Sequence, residues 1–93
     1  MIFKGFCEKQ GSQIVCRDVK SLVYDHGWYY VTLGNKKTEV RFSISVGDGQ
    51  FVICERNWEG YAEGCAVFHG RVKVTYKPER WRKAKLIIEI IQD

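Results

Sequence analysis

Residues 38–46 read TEVRFSISV, and from residue 39 polar and apolar side chains alternate along the stretch. The apolar residues are Val40, Phe42, Ile44 and Val46, and the polar residues are Glu39, Arg41, Ser43 and Ser45. Because successive side chains of a β-strand point to opposite faces, this alternation predicts a strand with one buried face and one wet face. One wet face is typical of an antiparallel sheet.

Turn-forming residues flank this strand on both sides. The sequence GNKK precedes it at residues 34–37, and GDG follows it at residues 47–49. Glycine and asparagine tolerate the left-handed backbone conformation of tight turns, so both segments predict hairpin connections.

The neighbouring segments extend this pattern into a sheet. Residues 28–33 (WYYVTL) are rich in the aromatic and β-branched side chains that suit a strand, and residues 50–55 (QFVICE) are a more continuous apolar run. Residues 20–24 add a further strand, which the tight turn at 25–27 (DHG) joins to the next one. These segments predict a four-stranded antiparallel meander over residues 20–55.

The pattern changes after residue 56. Asn57 is a good N-cap, and the apolar residues after it recur at helical spacing: Trp58, Tyr61, Ala62, Cys65 and Ala66. They predict one short helix near residues 57–68. Gly60 and Gly64 each cost a helix roughly 1 kcal/mol relative to alanine, so the alternative is an irregular loop leading into a strand at Ala66.

The last part of the chain predicts a hairpin over residues 71–91. Residues 71–77 (RVKVTYK) alternate again, and Pro78 ends this strand because it has no N–H to donate. Residues 86–91 (LIIEII) contain four isoleucines, which favour a second strand. The alternative for this segment is a C-terminal helix over residues 79–91, where apolar residues also recur at helical spacing.

Length and composition favour one domain spanning residues 1–93, because 93 residues suit a single core and 45% of them are apolar. The expected fold is mainly β: a small antiparallel sheet or barrel, made of the meander and the C-terminal hairpin, with at most one short helix. The longest apolar stretch is far shorter than the roughly 20 residues that span a bilayer. The N-terminus has no apolar signal-peptide core. We therefore expect a cytoplasmic location and no membrane partner.

Four cysteines, Cys7, Cys16, Cys54 and Cys65, occur without any C-x-x-C pair. Structural zinc sites usually contain such a pair, so we expect no metal site. The preferred interpretation is buried free thiols, which act as small apolar residues in a reducing cytosol. The alternative is a disulfide between Cys7 and Cys16, which would face each other across a hairpin.

Catalysis is not indicated by any motif. The only histidines are His26 and His69, and the sequence contains no nucleophile elbow, phosphate-binding glycine loop or paired histidine metal motif. We therefore expect a protein that is not an enzyme and has no cofactor.

Basic residues concentrate in residues 71–85, RVKVTYKPERWRKAK, which hold seven of the fifteen lysines and arginines and one acid. Alternation places Arg71, Lys73 and Lys77 on one strand face, and the following connection carries Arg80, Arg82, Lys83 and Lys85. Trp81 lies within the basic run and offers a ring for base stacking. The candidate binding residues are therefore Arg71, Lys73, Lys77, Arg80, Trp81, Arg82, Lys83 and Lys85. The alternative is that these cations are merely solvated and that Trp81 packs on the core.

The expected function is binding of an anionic partner, either a nucleic acid or the acidic surface of a nucleic-acid-handling protein, through this basic hairpin. One alternative is a phage- or mobile-element-type inhibitor that blocks a host protein complex by protein–protein contact. Another is a homo-oligomer in which Glu55, Glu59 and Glu63 of one copy meet the basic hairpin of another.

Overall fold

A computed structural model describes residues 5–35, 37–47, 49–81 and 83–91. Every regular element in these ranges is a strand, and the strands form one antiparallel sheet. They are β1 (Cys7–Gln10), β2 (Gln13–Asp25), β3 (Trp28–Gly34), β4 (Glu39–Val46), β5 (Gln50–Arg56), β6 (Ala62–His69), β7 (Arg71–Lys77) and β8 (Ala84–Ile91). The mainly β prediction is confirmed, in the form of a sheet that is not closed into a barrel.

Neighbouring strands follow the order β6-β5-β4-β3-β2-β8-β7, and β1 pairs separately with β2. Strands β2 to β5 are consecutive in sequence and in space, which confirms the predicted meander, and β6 extends it by one strand. Strands β7 and β8 form the predicted hairpin. Strand β8 also pairs with the first half of β2, so the hairpin is part of the same sheet.

A bend in the middle of strand β2 divides the sheet into two parts. Its first half pairs with β1 and β8, whereas its second half pairs with β3. The register shifts on both sides of Val19, and the nearby Asp18 has a φ of 57°, in the left-handed region. Such irregularities bend a strand. The bend brings residues of β8 into the same buried cluster as residues of β4 and β5.

The core lies between the inward faces of these two parts of the sheet. Its largest fully buried apolar side chains are Phe42, Phe51, Leu33, Ile44, Leu86 and Ile88. Burying one such side chain stabilises a fold by roughly 1.5–3 kcal/mol. The alternation in residues 38–46 predicted this face correctly for Val40, Phe42 and Ile44, whereas Val46 is exposed at the end of its strand.

The short helix predicted near residues 57–68 does not form. Asn57 sits in a tight turn instead: its side-chain oxygen accepts the backbone N–H groups of Glu59 and Tyr61, and its own N–H donates to the Tyr61 carbonyl. Gly60 has a φ of +89°, which a helix does not allow. The alternative of a loop leading into a strand is confirmed, with the strand beginning at Ala62 rather than Ala66.

The prediction of free thiols is wrong, because the structure pairs all four cysteines. Cys7 bonds to Cys16 and Cys54 bonds to Cys65, and both pairs join residues directly opposite each other on neighbouring antiparallel strands. The prediction of free thiols assumed a reducing cytosol. It did not consider the cross-strand register, which places the two thiols of each pair next to each other. The cytoplasmic location stays a prediction.

Candidate anion-binding surface

The β7–β8 hairpin has one face on the core and one face in solvent. Val72 and Val74 pack against the core. The residues between them and beside them therefore point outward, because strand side chains alternate. This outer face carries the four cations Arg71, Lys73, Lys77 and Lys85, all of them exposed. Alternation predicted the first three, whereas Lys85 was predicted in the connecting loop and lies in β8 instead. Lys77 and Lys85 lie directly opposite each other at the end of the hairpin.

Two acids lie beside these cations. Glu89 is directly opposite Lys73 in the register. Glu79, in the connecting loop, has a carboxylate oxygen 3.5 Å from the Lys85 ammonium nitrogen. Both members of this ion pair are partly exposed, so it contributes little to stability. The outer face keeps a positive balance of four cations to these two acids.

The loop that joins β7 to β8 presents Trp81 to solvent. Trp81 is 86% exposed, so the alternative that it packs on the core is wrong. The Arg80 guanidinium carbon lies 5.4 Å from the centre of the Trp81 ring, within the range of a cation–π contact. The ring therefore has a cation near it and much of its surface open to a ligand.

Two further predicted site residues have different outcomes. The Lys83 ammonium group donates a hydrogen bond to the Gly34 carbonyl oxygen, which ties the loop to the end of β3. Gly34 itself has a φ of +116°, and a Cβ there would collide with the Thr38 carbonyl. Lys83 is therefore partly a structural residue rather than a free cation. Arg82 lies outside the described residues.

A second cluster, which the sequence analysis missed, lies on the outer face of the meander. The Arg56 guanidinium lies 5.4 Å from the centre of the Trp28 ring and 5.5 Å from that of the Tyr30 ring. Its Nε donates to the hydroxyl of Ser43, which is fully buried, and its Nη1 donates to the Gly60 carbonyl, each at 2.9 Å. Alternation within residues 28–33 was the signal for this cluster, because it places both rings opposite the core-facing side chains.

Arg41 and Trp58 lie next to this cluster. The Arg41 guanidinium is 5.2 Å from the centre of the Trp58 ring, and Trp58 is 79% exposed. Arg41 also binds the Glu39 carboxylate at 2.9 Å, and Lys20 binds the same carboxylate at 3.1 Å. Hydrogen bonds from Lys20 and then from Arg41 lower the pKa of Glu39 below its ordinary value, against a smaller opposing effect of burial. Trp58 is thus held by a connected set of charges.

Other kinds of site receive no support from the described residues. Within the ranges that the structure describes, no three His, Cys, Asp or Glu side chains form a group that could hold a metal ion. His26 contacts Asp25 at 2.6 Å, but both side chains are largely exposed at a turn. None of the described elements is a helix with the length and apolar content to cross a membrane.

Known proteins add no further assignment. No protein-family model matches the chain, and neither a curated protein nor a solved structure gives a significant match.

Proposed function

We propose that the chain is a non-enzymatic binding protein that engages a nucleic acid through the outer face of the β7–β8 hairpin. The observation that carries this proposal is the row of cations on that face, with the exposed Trp81 at its end. The chain's net charge of +4 has the same origin, since residues 1–70 carry eight basic and eight acidic side chains. A positive row with an aromatic side chain at its end is typical of nucleic-acid surfaces.

The dimensions of the row suit a phosphate backbone. From Arg71 to Lys77 the strand advances about 20 Å at about 3.3 Å per residue. A nucleic-acid strand in B form has one phosphate per roughly 3.4 Å of axis, so the row passes about six phosphates. Such contacts give sequence-independent binding whose affinity falls as salt rises.

A titration at several salt concentrations tests this proposal. Labelled oligonucleotides are titrated with the protein between about 50 and 200 mM salt, and the slope of log affinity against log salt is measured. Replacing Lys73 and Lys77 together by alanine should reduce the slope by about 1.4 for a single strand and about 1.8 for a duplex. Lys9→Ala, which removes an exposed lysine on β1, is the matched control and should leave the slope unchanged.

Two results would contradict the proposal. One is a protein that binds no oligonucleotide at about 50 mM salt, where phosphate contacts are strong. The other is an equal effect of the double variant and of Lys9→Ala.

A second candidate is an acidic protein surface, as expected for an inhibitor of a host complex. The exposed Trp81 with Arg80 against its ring favours it, because tryptophan and arginine are enriched at interface hot spots. This candidate predicts that one defined protein co-purifies with the chain and that Trp81→Ala releases it, while oligonucleotides stay unbound. A stable oligonucleotide complex that excludes any protein partner would count against it.

A further inference from the structure

The two most exposed tryptophans of the described residues lie at the same end of the sheet. Trp58 is in the turn between β5 and β6, and Trp81 is in the loop between β7 and β8. They are 79% and 86% exposed, so most of each ring is in solvent rather than on the core. Exposed indole rings are costly in water and mark binding surfaces when several of them occur together.

The register of the strands brings these two segments to one end. Ala84, which follows the Trp81 loop, pairs with Val19, which in turn pairs with Leu33. Leu33 pairs with Val40, and the next residue of β4 pairs with the last residue of β5, just before the Trp58 turn. A hydrogen bond from Lys83 to the end of β3 ties the second loop to the same row. We call the turn 57–61 and the described loop residues 78–81 and 83 together the tryptophan end.

The separation of the two segments suits a short piece of single strand. Four steps between neighbouring strands separate β8 from β5, and at about 4.8 Å each they amount to about 19 Å along the sheet. Stacked nucleotides rise about 3.4 Å each, so about six of them cover this distance.

Both rings are held in the same manner. Arg41 lies 5.2 Å from the Trp58 ring centre, and Arg80 lies 5.4 Å from the Trp81 ring centre. An arginine near one part of a largely exposed ring limits the ring's rotation and leaves surface on which a base can stack. The turn around Trp58 is itself ordered by the hydrogen bonds of Asn57.

The charges around Trp58 favour a base there over a phosphate. Glu59 adds a carboxylate to the same exposed turn. The cations Lys20 and Arg41 both donate to the carboxylate of Glu39, so they are already engaged. An unpaired carboxylate repels phosphate but not the neutral face of a base. The cations of the hairpin are therefore the phosphate contacts, and the Trp58 turn is a stacking contact.

We infer that the tryptophan end selects single-stranded nucleic acid, with unpaired bases stacked on Trp58 and Trp81 and the backbone running onto the outer face of the β7–β8 hairpin. The inference rests on the proposed function and narrows its ligand. A duplex stacks its bases on one another and pairs their edges, so it cannot offer base faces to either ring. The duplex is left with the phosphate contacts alone.

A competition experiment tests the inference. Single strands of about 12 nucleotides and duplexes of the same length are compared at one salt concentration, with the wild-type protein and with Trp58→Ala. The single strand should bind more tightly than the duplex, and Trp58→Ala should weaken only the single strand, by about 5- to 150-fold, as for one stacked base. Trp58→Phe should retain part of the affinity, because it keeps a ring.

Tyr24→Ala is the matched control, because Tyr24 is 63% exposed but lies at the opposite end of the sheet, next to the β2–β3 turn. It should change neither affinity. Equal binding of single strand and duplex, or no effect of Trp58→Ala on the single strand, would overturn the inference while a salt slope that depends on Lys73 and Lys77 leaves the proposed function standing. A protein that binds neither polymer overturns both.

Discussion

Cations occupy two different settings on the outer surface of this sheet. On the meander, Arg56 lies between two aromatic rings and donates to a buried hydroxyl and a backbone carbonyl. On the hairpin, the side chains of Lys73 and Lys77 form no ion pair or hydrogen bond with another residue in the described part of the chain. The difference indicates that the neighbours of a cation, rather than its type, decide its role. Arg56 uses its donors within the fold, whereas the ammonium groups of Lys73 and Lys77 have no partner in the described part of the chain.

The largest expected effect comes from the disulfide on the meander side. Replacing Cys54 and Cys65 together by alanine should lower the free energy of unfolding by about 2–4 kcal/mol, because the unfolded chain loses its cross-link. Urea unfolding under oxidising conditions measures this loss. The variant's slope of log affinity against log salt, which reports the phosphate contacts, should be unchanged, because the bond joins β5 to β6 whereas the cations lie on β7 and β8. If the same double variant were as stable as the oxidised wild type, the assignment of this bond would be wrong.

The next effect distinguishes the two settings directly. Arg56→Ala should cost about 1–3 kcal/mol of stability, because it leaves the buried Ser43 hydroxyl without its donor. Lys77→Ala, the matched surface change, should stay within about 0.5 kcal/mol of wild type. Thermal unfolding of both variants measures this difference in stability. Oligonucleotide affinity should fall more for Lys77→Ala than for Arg56→Ala. Equal stability losses would remove the distinction between the two settings.

Lys83 sharpens the comparison, because it belongs to the hairpin but has a structural contact. Lys83→Ala should lower the free energy of unfolding by about 0.5–1.5 kcal/mol, the typical net contribution of one hydrogen bond, because the contact with Gly34 is lost. The slope of log oligonucleotide affinity against log salt should fall by less for Lys83→Ala than for Lys73→Ala. Denaturant unfolding and the salt titration measure the two effects. A slope as low as that of the Lys73 variant would assign Lys83 to phosphate binding instead.

The smallest effect is a pH dependence on the meander side. The folded-state pKa of Glu39 lies below its ordinary value of 4.5, so its stabilising contribution is present above that value and is lost as the pH falls through the folded pKa. Because Glu39 and its partners Lys20 and Arg41 are partly exposed, the contribution of Glu39 to the free energy of unfolding should be under about 1 kcal/mol. Unfolding of Glu39→Gln and wild type across the acidic range measures it. Parallel curves for the two proteins would show that Lys20 and Arg41 do not stabilise the carboxylate.

Local patterns predicted the strands but not every contact between them. The alternation around Phe42 and the turns at residues 34–37 and 47–49 depend on neighbouring residues, so the meander could be predicted from the sequence. The pairing of β8 with β2 depends on irregularities near Val19, which have no period to detect. The helix assignment failed because Trp58 and Tyr61 are spaced as in a helix but lie in a glycine-containing turn.

In the candidate site too, features that depend on neighbouring residues were predicted, and contacts between distant residues were not. Arg71, Lys73 and Lys77 were placed by alternation, and the exposed outer face follows from it. The exposure of Trp58 was missed because the helix assignment made it an apolar face residue. The anchoring of Lys83 was missed because its partner, Gly34, is distant in sequence and reaches it only through the folded sheet.

Each disulfide described above joins cysteines of a single hairpin, 9 and 11 residues apart. The incorrect bond between Cys16 and Cys54 would close a loop about four times longer, which costs roughly 1.3 kcal/mol more in chain entropy. Loop-closure entropy therefore favours the two local pairings over a bond between the two halves of the chain, so each hairpin can form its own cross-link independently of the other.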